Sequence, residues 1–270
     1  MKKQTTAQAQ EDGPYLNGKV PFRPGILFRQ LTAAQYDVIV GLDFGHGETV
    51  AYVCYFELDN TTGKKNPAYR IVMMDHNDST PIPTYIHYDA SGSVVIGKNA
   101  ADHLDFFQHF KQSPTRWDTP VGGRTARELM RDFIGTLWHS ILLYDEKVKE
   151  GADKNSLLLA VGCPSGGDWT TEKSMAEYGE LVREATGCKR VEIFPESAAA
   201  IMANIQSAVE RKQPWHTDRG VAIYDFGSST LDFTYVLMGK VIFNLSVDLG
   251  GSQIDEAMLR KLLADHGLTE

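Results

Sequence analysis

The chain has 270 residues, 42% hydrophobic and 23% charged, enough apolar material for one large domain or two modest ones. A formal net charge of −8 without any Lys/Arg run argues against a nucleic-acid partner, because phosphate backbones demand clustered cations. Cys54, Cys163 and Cys188 lie far apart without metal-ligand spacing, which reads as three thiols in a reducing compartment. No apolar run is long enough to span a bilayer, so the expectation is a soluble, cytoplasmic protein with no membrane partner.

In chain order, residues 1–35 are polar and turn-rich and read as an extension. A buried strand is expected over 38–42, a turn over 43–47, and strands over 49–58, 69–74, 84–88 and 93–96. Helical spacing is read over 99–110 and again over 125–149, where Leu129, Met130, Phe133, Leu137, Ile141 and Leu142 recur every three or four residues. A strand over 157–162 ends at Pro164. It is followed by a helix over 171–186, a strand over 191–194 and a helix over 197–210. The opening pattern then returns as a strand over 221–224, a turn, strands over 231–236 and 241–247, and a Gly-Gly turn into a helix over 254–266. Strand groups interleaved with helices point to an α/β fold.

The triplet Asp-Phe-Gly occurs twice, at 43–45 and 225–227, 182 residues apart. Each copy follows a short buried strand and precedes a β-branched or aromatic one, which suggests an internal duplication. Glycine in a tight turn lets backbone N–H groups approach an anion. A carboxylate beside the same anion needs an intervening cation, and carboxylate plus phosphate oxygens is the usual setting of hydrated Mg2+. Asp43 and Asp225 are therefore candidate metal-holding and catalytic residues. Gly45, His46, Gly47, Gly227, Ser228, Ser229, Thr230, Gly250 and Gly251 are candidate phosphate contacts. His46 reads either as a donor to a phosphate oxygen or as a partly exposed turn residue.

These motifs resemble those of the 70-kDa heat-shock chaperones and their relatives in the actin-like ATPase superfamily. The resemblance runs through GLDFGHGETVAYV, Pro83-Thr84-Tyr85-Ile86, Ile96-Gly97, Val161-Gly162-Cys163-Pro164 and Pro195-Glu196-Ser197-Ala198-Ala199-Ala200. It continues through YDFGSSTLDFTYV, with Asp225, Gly227, Thr230 and Asp232 at family positions, to Leu249-Gly250-Gly251-Ser252-Gln253-Ile254-Asp255. The resemblance implies an actin-like (ribonuclease H-like) α/β fold with duplicated lobes. The first lobe would span 36–214, and 215–270 would begin a second lobe whose adenosine-binding part lies beyond residue 270. It implies ATP or ADP with Mg2+ as cofactors and slow ATP hydrolysis, with clients or co-chaperones met through regions outside this chain. A scaffold or filament protein, or a small-molecule kinase on the same fold, is the alternative. Four departures stand out. His46-Gly47 replace hydroxyl residues, and Ser228-Ser229 replace glycines. Glu196, the candidate base, follows Pro195 instead of preceding it. The position of the family's catalytic Lys is held by Ala101, with Lys98 three residues earlier.

Overall fold

The computed structural model describes residues 36–63, 65–72, 81–212, 220–237, 240–247 and 249–268. It also describes two short paired strands, β1 (Tyr15–Leu16) and β2 (Val20–Pro21).

The central strand is β3 (Val38–Phe44), in which Val38, Val40, Leu42 and Phe44 alternate into the core as period-two geometry requires. It pairs antiparallel with β4 (Glu48–Leu58), which pairs antiparallel with β5 (Lys65–Ile71). On its other side run β11 (Leu157–Cys163) and β12 (Val191–Pro195), both parallel, giving the order β12-β11-β3-β4-β5. The short β6 (Ile82–Pro83) joins the start of β4. Two small hairpins, β7 (Ile86–Tyr88) with β8 (Val94–Ile96) and β9 (Pro120–Val121) with β10 (Arg124–Thr125), lie between the two halves of this sheet in sequence. A separate antiparallel sheet is formed by β13 (Val221–Phe226), β14 (Leu231–Leu237) and β15 (Lys240–Val247).

One face of the first sheet is covered by α2 (Ala126–Ser140) and α4 (Glu172–Thr186), which pack on each other. Leu129, Met130, Phe133, Ile134 and Leu137 of α2 meet Tyr178, Leu181 and Val182 of α4 in one core with β3 and β11. Thr125 caps α2 reciprocally with Glu128, satisfying donors that a bare helix start would leave orphaned. The remaining helices are α1 (Lys98–Ala101), α3 (Glu146–Asp153), α5 (Glu196–Glu210) and α6 (Gly251–Asp265). Tyr224 and Phe226 of β13, Ile242, Phe243 and Leu245 of β15, and Met258 and Leu262 of α6 are exposed among the described residues.

Several elements differ from expectation. The helix expected over 99–110 is limited to α1. Phe107 instead exchanges backbone hydrogen bonds with Ile86 (3.0 and 2.7 Å), and Phe110 is buried against Phe44 and Phe133, so tertiary pairing overrides local spacing. The helix expected over 125–149 is broken at Ile141 (φ −129°, ψ −63°). Asp145 then starts α3 by accepting from Lys147 and Val148 backbone N–H groups. The strand expected over 69–74 is β5, shifted toward Lys65, and residues 73 and 74 lie outside the described ones. The last helix opens three residues early, at Gly251.

The Phe133 ring sits 5.4 Å from that of Phe44 and 5.9 Å from that of Phe110, and its side chain is fully buried. Phe133→Ala is expected to destabilise the protein by about 3–5 kcal/mol, read from urea unfolding. A wild-type midpoint would show that this ring cluster does not anchor the first sheet.

Candidate functional site: a carboxylate-rich cleft between two hairpins

Alternation along β3 sends Phe44 into the core and Asp43 to the opposite face. The chain then turns at Gly45, where a Cβ would lie 2.2 Å from the Glu48 carbonyl oxygen, so no larger residue fits this turn. Thr84 braces the turn from behind. Its N–H donates to the Gly47 carbonyl (2.8 Å), and its hydroxyl donates to the Gly45 carbonyl (2.9 Å). Thr49 adds a hydroxyl contact to Thr84 at 2.8 Å.

The second hairpin repeats the device. Asp225 stands opposite Asp232 across β13 and β14, and Gly227 N–H closes the turn on the Thr230 carbonyl at 2.9 Å. The hairpin tips meet, because a Cβ on Gly47 would come within 2.9 Å of the Ser228 side chain. The strand β15 is also tied to the segment after β11, where Asn244 donates to the Ser165 carbonyl.

A cleft of about 2660 Å³ runs from Tyr36 and Phe56 along the first sheet to both hairpins, where Asp43, Gly45, His46, Gly47, Glu196, Asp225 and the 227–230 turn line it. These are the residues expected from sequence, with the exception of Gly250 and Gly251, which are not among its lining. Gly250 N–H donates to the Gln253 side chain (2.7 Å), and Gly251 N–H donates to the Gly227 carbonyl (3.0 Å). The start of α6 thus ties down the second hairpin instead of offering these amides to a ligand.

Glu196 faces the cleft. β12 ends at Pro195 in register with Cys163, and α5 opens on Glu196, whose neighbour Ser197 donates its N–H to Ser165 Oγ at 2.8 Å. The carboxylate reaches Lys111, with Nζ to Oε1 3.1 Å. Lys111 is the residue that sequence reasoning missed. Lys98 and Ala101 are exposed at the two ends of α1, whereas Lys111 is 7% exposed. Its ammonium sits 5.8 Å from the Phe44 ring and 5.6 Å from the Trp169 ring. No local signal marks it, since the pairing of Phe107 with Ile86 sets its place.

Charge in the cleft is unbalanced. Burial pushes the Asp43 carboxyl above its ordinary range; Glu196 and Asp225 push it further, and Lys111 opposes them. Burial and then Glu196 raise Asp225. Burial also raises Asp232, whose Oδ1 is buried without a hydrogen-bond partner. Burial, then His109 and Lys111, lower His46 to about 4. Three acidic groups around one cation make a surplus of negative charge that a divalent ion would neutralise.

A carboxyl with a raised folded-state pKa holds its proton more tightly folded than unfolded. Its contribution is fully present below the ordinary value of 3.8 and is lost as pH rises through the raised value. Asp43→Asn and Asp225→Asn are therefore expected to raise the Tm of the ligand-free protein at neutral pH and to leave it nearly unchanged near pH 3. A lower Tm at neutral pH in both variants would contradict the charge surplus.

No protein-family model matches the chain, and no curated protein sequence does. Solved structures do match. MreB5 of Spiroplasma citri bound to ADP aligns with a TM-score of 0.54 at 18% identity, covering 86% of this chain and 58% of that one. The same protein bound to AMPPNP aligns with a TM-score of 0.54 at 17% identity, covering 86% and 59%. The chain thus spans less than two thirds of the length of these structures. The heat-shock chaperone branch finds no counterpart in them, and what the likeness shows is that the chain has the actin-like ATPase fold.

Proposed function

We propose that this chain is the phosphate-binding part of a nucleotide-dependent, actin-like scaffold or filament protein that holds Mg-ATP between its two Asp-Phe-Gly hairpins. One observation carries the reading: Asp43, Asp225, Glu196 and Lys111 line one cleft together with both glycine turns. The structures of like fold were bound to ADP and AMPPNP, which supports a nucleotide here. It favours the scaffold reading over the chaperone switch implied by the sequence resemblance.

Among the described residues no three His, Cys, Asp or Glu side chains are placed to hold a metal ion by themselves. That suits Mg2+, which completes its shell with water and phosphate oxygens. Asp43 and Asp225 would hold it, and when bound it offsets phosphate charge. The amides of 45–47 and 227–230 would approach the phosphate oxygens, as turn N–H groups do for anions. Lys111 would meet charge developing on the terminal phosphate, and Glu196, held by Lys111, would take the proton of water. The hydroxyls that the first turn lacks at His46-Gly47 stand behind it, on Thr49 and Thr84, where they brace the backbone and do not face a ligand. Turnover is accordingly expected to be slow, below the range of about 10–10³ per second of fast enzymes.

Asp43→Asn or Asp225→Asn should weaken Mg-ATP binding at least about tenfold in calorimetric titration, whereas ATP binding without Mg2+ should be no weaker than wild type, because a repulsive charge is gone. Lys111→Met should lower the rate of phosphate release by about 10²-fold, the scale for losing one charge-stabilising donor. Wild-type Mg-ATP affinity in both Asp variants would refute the cleft as the nucleotide site. Light scattering that rises with Mg-ATP supports the scaffold reading; turnover stimulated by unfolded peptide without any assembly would return the chaperone reading.

A further inference from the structure

Glu196 does not hold the Lys111 ammonium alone. Its Oε1 takes one N–H at 3.1 Å, and two aromatic rings also meet the charge, with Nζ 5.8 Å from the Phe44 centroid and 5.6 Å from that of Trp169. Both distances fall within the reach at which a ring face attracts a cation, about 6 Å. Phe44 comes from the core, where Phe110 and Phe133 fix it. Trp169 comes from the segment after β11. The chain there passes Gly167 at φ 60°, a left-handed conformation that glycine takes readily. Trp169 then sits in the short helical turn Gly167–Thr170, just before Thr171 caps α4.

Trp169 is itself anchored. Its ring meets that of Tyr178 edge-on, centroids 5.3 Å apart and planes at 73°, an arrangement that aromatic pairs favour. Tyr178 is fully buried in α4. The neighbouring Asp168 accepts from the Thr115 hydroxyl at 2.7 Å, which ties the Trp169 turn to the segment that carries Lys111. Trp169, Lys111 and Glu196 all line the cleft. A lysine stem is long and flexible, and this one stands where the charges of Asp43, Glu196 and Asp225 all act on one another. A carboxylate fixes an ammonium by accepting one of its three N–H donors. A ring face holds the charge through its quadrupole and spends no such directed bond.

We propose that Trp169 is the positioning residue for Lys111, its ring holding the ammonium over Phe44 so that the donors not given to Glu196 meet the terminal phosphate. This deepens the nucleotide reading of the cleft and rests on it. In this role Trp169 touches no reacting atom and acts through Lys111 alone. It limits where the ammonium can go while charge builds on the phosphate. Without the ring, Lys111 keeps its charge and its Glu196 partner, but its stem is free to swing toward the other carboxylates. Loss of position at this level acts on the rate more than on ground-state nucleotide affinity.

The experiment combines calorimetric Mg-ATP titration with single-turnover phosphate release in wild type, Trp169→Leu, Trp169→Phe, Lys111→Met and the Trp169→Leu/Lys111→Met double variant. Leucine keeps apolar bulk without a ring face, and phenylalanine restores a ring. Expected are Mg-ATP affinities within about twofold of wild type for both Trp169 variants, a rate about tenfold lower for Trp169→Leu, and recovery of most of it in Trp169→Phe, the scale of one desolvated cation–ring contact. On the Lys111→Met background no ammonium is left to hold, so Trp169→Leu should change the rate by less than about twofold. In the ligand-free protein, ring currents should shift the Lys111 side-chain proton signals upfield, assigned with Lys111→Met, and Trp169→Leu should move them back. A wild-type rate in Trp169→Leu overturns the proposal, as do Lys111 signals that stay where they were. A loss that repeats in full on the Lys111→Met background also overturns it and makes Trp169 a packing residue. Trp169→Met replaces Trp169→Leu should the latter fail to fold. Wild-type protein that binds Mg-ATP without releasing phosphate overturns the positioning role and leaves nucleotide binding standing. Wild-type protein that binds no Mg-ATP overturns both.

Discussion

The structure turns on a surplus of negative charge gathered in one cleft. Asp43 and Asp225 come from two separate sheets, Glu196 comes from the start of α5, and one lysine answers all three. Carboxylates crowded into one cleft with too little compensation weigh against the fold unless a ligand supplies the missing charge. Such an arrangement suits a binding site better than a structural ion pair, because the strain is relieved only when a cation arrives. The glycine turns beside the same carboxylates offer amide N–H groups, the complement of an anion. Cation-seeking carboxylates next to anion-seeking amides are the chemistry of a metal-bound polyphosphate.

Everything around the cleft serves its placement. The alternation of β3 is what lets Phe44 bury into the aromatic cluster with Phe110 and Phe133 while Asp43 faces the other way. The same Phe44 ring lies beneath the Lys111 ammonium, so the core and the site share a residue. The first hairpin is held from behind by Thr84, and the second is held by the N-terminus of α6 through Gly227 and Ser228 carbonyls. Rigid support of this kind is what a site needs if backbone donors are to be aimed and not merely present.

Much of this was legible in the sequence, because the informative features are local. The two Asp-Phe-Gly turns announce themselves by short-range chemistry: a strand, a carboxylate, a glycine and another strand. The apolar run that opens β3 and the spacing of Leu129, Met130, Phe133 and Leu137 are equally local, and the structure places both in elements of the expected type. What escaped was set by distant partners. Lys111 enters the cleft because Phe107 pairs with Ile86 and aborts the helix that spacing suggested over 99–110. Gly250 and Gly251 looked like a further phosphate turn, but their amides are taken by Gln253 and by Gly227. Glu196 looked misdirected when counted along a helix. The end of β12 and the contact with Lys111 set its direction instead.

The central claim is that Asp43 and Asp225 act on one shared cation beside one polyphosphate. A double-mutant cycle in Mg-ATP affinity tests it most directly, using wild type, Asp43→Asn, Asp225→Asn and the double variant. If both carboxylates hold the same ion, the first substitution removes most of what the second can remove. The losses should then fail to add by about 1 kcal/mol or more, within the range for residues sharing a partner. Additivity within about 0.3–0.5 kcal/mol, the behaviour of independent sites, would contradict a shared cation between the two hairpins.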